Sequence, residues 1–250
     1  MKFLKYVLML LIVSELFADE VRHQFEQANQ FYRTGDYKNA VALYEAIIKN
    51  GYETPELFFN LANAYFKVDN LPASILYYER AKKLLPNDDD INYNLKIANL
   101  KVVDKIEPVP RLFFIEWWIS MRNLFSADTW TIFGIAGFWL SAFTWALFRI
   151  ARKSIIRRLF FFTSSIIVFI TIFCLFFGYQ QYQTETSQNS AIVFFPSVSI
   201  KSSPDERGTD LFILHEGVKI EILDAVGDWK KFKLADGKIG WLPDTAIEII

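Results

Sequence analysis

Two long apolar stretches dominate the hydrophobic pattern of the chain. Residues 130–147 and 159–179 contain no charged side chain. Each covers about the 20 residues that an α-helix needs to cross the hydrocarbon core of a bilayer. A backbone in lipid must satisfy its own hydrogen bonds, so both stretches are predicted to be helical. Aromatic anchors lie near their ends, at Trp130, Trp145 and Tyr179. The pattern predicts a transmembrane hairpin over residues 129–179, with both flanks on one side.

The short loop between these stretches, residues 149–158, is strongly basic and has no acidic residue. Short loops rich in Lys and Arg stay in the cytoplasm because their translocation is disfavoured. Nucleic-acid binding is the competing interpretation, but it would need stacking aromatic residues or a folded groove. We therefore predict a cytoplasmic loop and two large external segments. The cations that set this topology are Arg149, Arg152, Lys153, Arg157 and Arg158.

Sequence patterns typical of membrane association also precede the first apolar stretch. Residues 1–18 combine Lys2 and Lys5 with an apolar core and a small Ala18, which is typical of a secretory signal peptide. An uncleaved anchor is the alternative, and either one exports the segment that follows. Residues 108–128 are dense in aromatic side chains with a few interspersed charges, which favours an interfacial helix on the outer leaflet. The alternative for this segment is the start of a longer tilted helix.

Between these regions, residues 21–100 have helical periodicity and an internal repeat of 34 residues. Ala28 and Ala62 are equivalent under this period, as are Tyr44 and Tyr78. Small alanines let antiparallel helices approach closely, and the tyrosines fill the space between them. The period and pattern resemble the tetratricopeptide repeat family. Because two repeats rarely suffice alone, residues 88–106 are predicted to add a covering helix.

The resemblance implies a concave groove, lined by the first helix of each pair, that binds extended peptides or partner helices. Asn29 and Asn63 are equivalent under the repeat and could hydrogen-bond a ligand backbone; alternatively, they satisfy contacts between helices. Family members that clamp a terminal carboxylate have basic groove residues where this chain has Phe25 and Asp90, so that specialised role is not expected. The implied groove consists of Phe25, Asn29, Arg33, Asn60, Asn63, Lys67 and Asn94.

After a polar linker the pattern changes to short alternating segments separated by Gly, Pro and Asp, which predicts strands. Asp236-Gly237 is a strong hairpin signal. The stretches "VSIKSSP", "LHEG", "DWKKF" and "DGKIGWLP" resemble a bacterial SH3 domain, which implies a small barrel over residues 190–250. Members of that family generally bind peptides or cell-wall components. The implied aromatic groove consists of Phe212, Trp229, Trp241 and Pro243, with a place in the core as the alternative for Phe212 and Trp241.

Composition narrows the function classes. Hydrophobic residues make up 52% of the chain, too many for an ordinary soluble domain. A net charge of −1 argues against general attraction to nucleic acid. The single Cys174 and two distant histidines offer no intrachain disulfide and no Cys/His metal cluster. Without a recognisable catalytic constellation we expect no enzymatic activity, no metal and no cofactor.

Taken in order, the segments predict a multidomain membrane protein of the bacterial inner membrane. An all-α tetratricopeptide array over residues 19–107 is followed by the interfacial helix, the two-helix transmembrane hairpin and a C-terminal all-β SH3-like barrel. This arrangement resembles the BatE-type membrane proteins of aerotolerance operons. The resemblance implies a scaffold whose two large domains face the periplasm, with von Willebrand A-domain membrane proteins and a MoxR-type ATPase system as partners. An envelope receptor that senses peptidoglycan or peptides is the alternative function.

Overall fold

The computed structural model describes residues 20–250, so the predicted signal peptide lies outside the described residues. The first helix, α1, is described over residues 20–33. The helical array continues with α2 (Tyr37–Lys49), α3 (Pro55–Lys67), α4 (Leu71–Leu84) and α5 (Asp89–Lys101). Three further helices follow: α6 (Phe113–Arg122), α7 (Ala127–Ile150) and α8 (Ser154–Thr186).

Side-chain caps fix where the helices of the array begin. Asp36 accepts a hydrogen bond from the Asn39 N–H at the start of α2, and Thr54 caps α3 just before Pro55 at the first helical position. Asp88 caps α5 in the same way. A proline in the first turn and an oxygen acceptor before it leave fewer unpaired backbone donors at a helix start. The capping side chains thus define where the helices of the array begin.

The C-terminal region is a single antiparallel sheet of seven strands in the order β3-β2-β6-β5-β4-β1-β7. The strands are β1 (Ser190–Val193), β2 (Ser197–Lys201), β3 (Asp210–His215), β4 (Lys219–Val226), β5 (Trp229–Lys233), β6 (Ile239–Pro243) and β7 (Ile247–Ile249).

The sheet does not close, which differs from the predicted barrel. Within residues 20–250, its outer strands, β3 and β7, pair only with β2 and β1 respectively. A barrel buries an apolar face by closing the sheet on itself, whereas here helices supply part of that cover. The sheet can therefore remain open.

The array and the sheet share one hydrophobic core. The buried residues Ile75 and Leu76 of α4 and Val102 after α5 belong to the same cluster as Ile200 of β2 and Phe232 of β5. A second cluster, built around Tyr44 and Leu61, holds the first repeat together. The array and the sheet form one compact unit, which we call the α/β unit; it comprises Asp88–Val109, Gln188–Ile250 and the described residues up to Lys82.

Polar contacts also join the helical array to the sheet. Lys219 of β4 lies 2.7 Å from Glu79 of α4. The guanidinium of Arg80 donates a hydrogen bond of 2.7 Å to the carbonyl oxygen of Ile249 in β7. At the opposite edge of the sheet, Asp104 accepts a hydrogen bond of 2.7 Å from the backbone N–H of His215. Side chains of α4 and of the segment that follows α5 thus satisfy backbone groups at both sheet edges.

The remaining compact unit, Pro110–Ser187 with Lys83–Asn87, contains the two apolar helices. Small residues let α7 and α8 pack closely: a Cβ on Gly137 would come within 2.4 Å of Thr171 Oγ1. Ser164 Oγ donates to the carbonyl oxygen of Ser141 across the pair. Both helices are long and apolar enough to span a membrane, and only 17% of each apolar window is buried. Core helices of soluble proteins are mostly buried, and these are not.

Contacts at the start of α7 join it to its neighbours in this unit. Ser126 caps α7, because its side chain accepts a hydrogen bond from the Thr129 N–H. Glu185 near the end of α8 accepts a hydrogen bond of 3.1 Å from the Ala127 N–H. The ring of Trp118 in α6 lies 5.0 Å from that of Phe177 in α8, whereas Phe113 of α6 is 83% exposed. One side of α6 therefore packs on α8 and the other remains an exposed aromatic surface.

The close approach of helix and sheet at Gly217 can be tested by a matched pair of substitutions. Gly217 has φ +85°, and a Cβ there would lie 3.0 Å from Val102 and 3.1 Å from Ile75. Gly237 has φ +91°, but its Cβ would meet nothing within 4 Å. We expect Gly237→Ala to cost about 1 kcal/mol for the left-handed backbone and Gly217→Ala to cost about 1–3 kcal/mol more from overpacking. Denaturant unfolding measures both; equal costs would contradict the shared core.

Candidate partner-binding site

The first helices of successive helical pairs lie side by side. Asn60 of α3 donates its side-chain N–H to Asn29 Oδ1 of α1 at 3.1 Å. Asn94 of α5 donates in the same way to Asn63 Oδ1 of α3, also at 3.1 Å. Because 29, 60, 63 and 94 keep the 34-residue period, the same contact occurs twice. These four predicted groove residues are therefore brought together along one surface.

The second helix of each repeat adds a buried tyrosine to this network. Tyr44 OH donates to Asn29 Oδ1 at 2.6 Å, and Tyr78 OH donates to Asn63 Oδ1 at 2.5 Å. Both tyrosines are 2% exposed or less. We call this repeated arrangement the Asn–Tyr ladder; its members are Asn29, Tyr44 and Asn60 in one rung and Asn63, Tyr78 and Asn94 in the other.

The Asn–Tyr ladder limits what the asparagines can offer a ligand. Each central Oδ1, of Asn29 and of Asn63, already accepts two hydrogen bonds. Their side-chain amide N–H groups make no hydrogen bond among the described residues, so these donors are what a partner could use. The interhelical role that sequence reasoning left open is thus present, and ligand binding by these residues stays a prediction.

The other predicted groove residues lie at the two ends of these helices. The Phe25 ring is half-buried, 5.9 Å from the ring of Tyr44. Arg33 is exposed and donates to Gln30 Oε1 at 3.1 Å. Lys67 is exposed and lines a shallow cleft of about 370 Å³ beside the turn that contains Gly35. The surface is thus cationic at the end that carries Arg33 and Lys67, next to the asparagines.

Sequence reasoning missed one member of that cationic end. Lys101 follows Arg33 and Lys67 at the same 34-residue period, which is the signal that could have revealed it. Its ammonium lies 4.1 Å from the ring centroid of Phe66 and 3.8 Å from Asp69. We call Arg33, Lys67 and Lys101 the basic row. Cations in the last turn of a helix also favour the helix dipole, so each of these charges has a structural use as well.

Burial raises the pKa values of several tyrosines of the array. Burial raises the pKa of Tyr44 to about 12, and it also raises the pKa of Tyr78 well above its ordinary value. The pKa of Tyr65 is raised by burial and by its hydrogen bond to Glu45. The Tyr65 ring stacks on that of Tyr77, 5.7 Å away. These phenols are structural donors that stay protonated at physiological pH.

The structure divides the predicted SH3 groove between two faces of the sheet. Trp229 pairs directly with Pro243, and Trp241 pairs with Lys231, whose ammonium lies 5.9 Å from the Trp241 ring. Since alternate residues share a face, these four side chains lie together on the outer face. Phe212 instead pairs with the buried Ile200 and packs partly on the core. Three of the four predicted residues therefore share a surface.

The five predicted topology cations cluster around the turn of the apolar hairpin. Arg149 is in the last turn of α7, Arg152 and Lys153 lie in the connection, and Arg157 and Arg158 follow in α8. All five are exposed. Arg157 lies 5.1 Å from the ring centroid of Phe148, in cation–π range. Within residues 20–250, no group of three or more His, Cys, Asp or Glu is arranged to hold a metal.

Comparison with known proteins agrees with the helical geometry. Residues 25–89 match the model of the tetratricopeptide repeat family. The match spans helices from α1 to the start of α5, well under half of the chain, and does not extend to the apolar helices or the sheet. A search of curated proteins finds no match. The array is thus similar to tetratricopeptide repeats, which generally mediate protein–protein interactions.

The Asn–Tyr ladder predicts that its asparagines matter for stability. Asn63→Ala removes the acceptor used by Tyr78 and Asn94 and leaves a buried hydroxyl unpaired, so we expect a loss of about 1–3 kcal/mol in the free energy of unfolding. In the Tyr78→Phe background the same substitution should cost less, because the phenol is already absent. A double-mutant cycle by denaturant unfolding measures this coupling. Independent, additive losses would show that the ladder is not an energetic unit.

Buried tyrosines also predict a loss of stability at alkaline pH. An unfolded tyrosine releases its proton near pH 10, whereas the pKa of Tyr44 in the folded chain is about 12. Its stabilising contribution is therefore complete below pH 10 and is lost as the pH rises through about 12. Between pH 10 and about pH 12, we expect the free energy of unfolding of the wild type to fall by on the order of 1 kcal/mol more than that of Tyr44→Phe. Urea unfolding at both pH values tests this, and parallel losses would contradict it.

Proposed function

We propose that this chain is a non-enzymatic scaffold of the bacterial inner membrane that holds partner proteins on its periplasmic α/β unit. The observation that carries the proposal is the shared core of the array and the sheet. These two parts flank the apolar helices in the sequence, so they must meet on the same side of any membrane that those helices cross.

The membrane topology follows from that constraint together with the charged turn. Two crossings by α7 and α8 return the chain to its starting side, as the shared core requires. The five exposed cations of the turn favour the cytoplasm, which directs the α/β unit outward. The exposed aromatic side of α6, next to the first crossing, suits the bilayer interface.

Partner binding is proposed for the surface that carries the Asn–Tyr ladder and the basic row. Tetratricopeptide repeats are interaction modules, and here the ladder fixes the relative positions of α1, α3 and α5. The amide N–H groups of Asn29 and Asn63, which make no hydrogen bond in the described part of the chain, can donate to a partner backbone, and the basic row offers charge beside them. A surface held in place before binding loses less conformational entropy when it binds.

The biological setting is proposed from resemblance. The order of a repeat array, an aromatic helix, two apolar helices and an all-β region resembles BatE-type proteins of aerotolerance operons. On that basis the expected partners are von Willebrand A-domain membrane proteins and a MoxR-type ATPase system, and the expected role is in envelope stress or oxygen tolerance.

Affinity capture of the full chain from gently solubilised native membranes, with mass spectrometry, tests the scaffold. We expect stoichiometric recovery of von Willebrand A-domain membrane proteins with the wild type, and several-fold less with Lys67→Glu, since reversing a charge of the basic row opposes binding there. Lys49→Glu is the matched control: Lys49 is also an exposed last-turn cation, but on α2 and outside the row. Recovery of the protein alone would reject the scaffold.

A cell-wall receptor is the second candidate, favoured by the outer face of the sheet. Trp229, Lys231, Trp241 and Pro243 lie together there, and tryptophan rings beside lysine suit sugars with attached carboxylates. If the full chain binds purified peptidoglycan and Trp229→Ala abolishes that binding while partners are absent, this candidate replaces the scaffold. If a folded Lys67→Glu variant retains all partners, the scaffold function stands, but its binding surface lies outside the basic row.

A further inference from the structure

The turn of the apolar hairpin carries five cations and no acidic residue of its own. Residues 129–184 contain no Asp or Glu. The acidic residues nearest in the sequence, Asp128 and Glu185, lie at the other end of α7 and α8, roughly 30 Å along the helices. Within residues 20–250, none of the five cations forms an ion pair with an acidic side chain. We call Arg149, Arg152, Lys153, Arg157 and Arg158 the cationic turn.

The apolar stretches of the two helices fix the depth of the cationic turn. Arg157 and Arg158 directly precede the uncharged residues 159–179 of α8, a stretch of about 30 Å, which is the thickness of the hydrocarbon core. Arg149 comes just after the uncharged stretch of α7. Because the Arg157 guanidinium lies 5.1 Å from the ring centroid of Phe148, the cations of both helices are at one level. In a bilayer crossed by α7 and α8, that level is the headgroup region.

Exposed isoleucines accompany these cations. Ile150 at the end of α7 is 74% exposed, and Ile155 at the start of α8 is 80% exposed. Apolar side chains of this size are more stable among acyl chains than in water. A segment that mixes apolar and basic side chains suits the boundary between acyl chains and headgroups. The isoleucines thus favour a turn seated in the interface, from which long basic side chains reach the phosphates.

We propose that the cationic turn binds the headgroup of an anionic phospholipid in the cytoplasmic leaflet. The inference rests on the membrane placement in the proposed function and adds a ligand class to it. Four of the five cations are arginines, whose planar guanidinium donates two parallel hydrogen bonds to a phosphate group. Phosphates of the leaflet lie at the depth of these side chains and supply the counter-charge that the hairpin lacks.

The charge pattern of the turn distinguishes anionic from zwitterionic lipids. A zwitterionic headgroup carries an ammonium or choline cation beside its phosphate. That cation would find no acidic side chain on this part of the hairpin, and it would be repelled by the neighbouring arginines. An anionic headgroup brings no such cation. Each Lys or Arg beside an anionic surface strengthens binding about fivefold, so the preference should be large enough to measure.

Native mass spectrometry of the full chain in detergent micelles measures this preference directly. Phosphatidylglycerol and phosphatidylcholine with identical acyl chains are titrated separately, and the bound fraction is read from the mass of the complex. We expect the wild type to bind phosphatidylglycerol about tenfold more tightly than phosphatidylcholine. Arg157→Gln with Arg158→Gln should lose most of that difference, since two of the five charges are removed and three remain to direct insertion.

Two matched variants separate the charge of the turn from other effects. Arg157→Lys with Arg158→Lys keeps both charges, so it should retain most of the preference even though the contact with Phe148 changes. Lys38→Gln with Lys96→Gln removes two exposed cations from the α/β unit and changes the net charge of the protein by the same amount. This second variant should bind both lipids as the wild type does.

Four outcomes would overturn the proposal. These are equal binding of the two lipids by the wild type, an unchanged preference in the folded Gln variant of the turn, an equal loss in the Lys38 and Lys96 variant, and displacement of the lipid by an equal concentration of soluble glycerophosphoglycerol. The last would identify a free phosphodiester as the ligand. Partner capture tests the scaffold separately, because a chain that captures partners without lipid preference retains the scaffold and loses only this lipid site.

Discussion

The apolar contact between the helical array and the inner face of the sheet is the interaction on which the rest of the structure depends. Ile75, Leu76 and Val102 contribute to the same core as strands from both halves of the sheet. Without this contact, the array would expose the apolar side of its last helices and the open sheet would expose its inner face. Neither part has a complete core of its own, and the sheet acts as the terminal cap that a repeat array requires.

The Asn–Tyr ladder shows how the repeat satisfies the polar groups that it buries. Each buried tyrosine places its hydroxyl on an asparagine oxygen, and the next helix adds an amide donor to the same atom. A buried phenol needs this acceptor, because an unpaired one would be costly. The amide N–H groups of the two central asparagines make no hydrogen bond within residues 20–250, and they are the donors that we propose a partner uses. One set of side chains thereby fixes helix positions and leaves donors for recognition.

Sequence patterns predicted the local elements well and their association less well. The 34-residue period located both repeats, since alanine, tyrosine and turn residues act locally, and α5 was expected because two repeats rarely suffice alone. The two apolar helices followed from length and charge alone. The shared core could not be predicted, because Ile75 and Leu76 fit an amphipathic helix whether its partner is another helix or a sheet. The barrel was expected from strand number and turn residues, which do not encode whether β3 and β7 meet. Lys101 was missed because the period was extended into α5 only as far as Asn94.

The shared core also has a consequence for biogenesis. The residues that complete it come from both sides of Pro110–Ser187, so a ribosome finishes the array long before it begins the sheet. In a chain that inserts α7 and α8 in the membrane, the array must wait in an immature state, with Ile75 and Val102 uncovered, until the second apolar helix has been integrated. In such a chain, insertion of the hairpin is coupled to maturation of the α/β unit, because a chain that stalls before the sheet is made keeps these apolar side chains of the array uncovered.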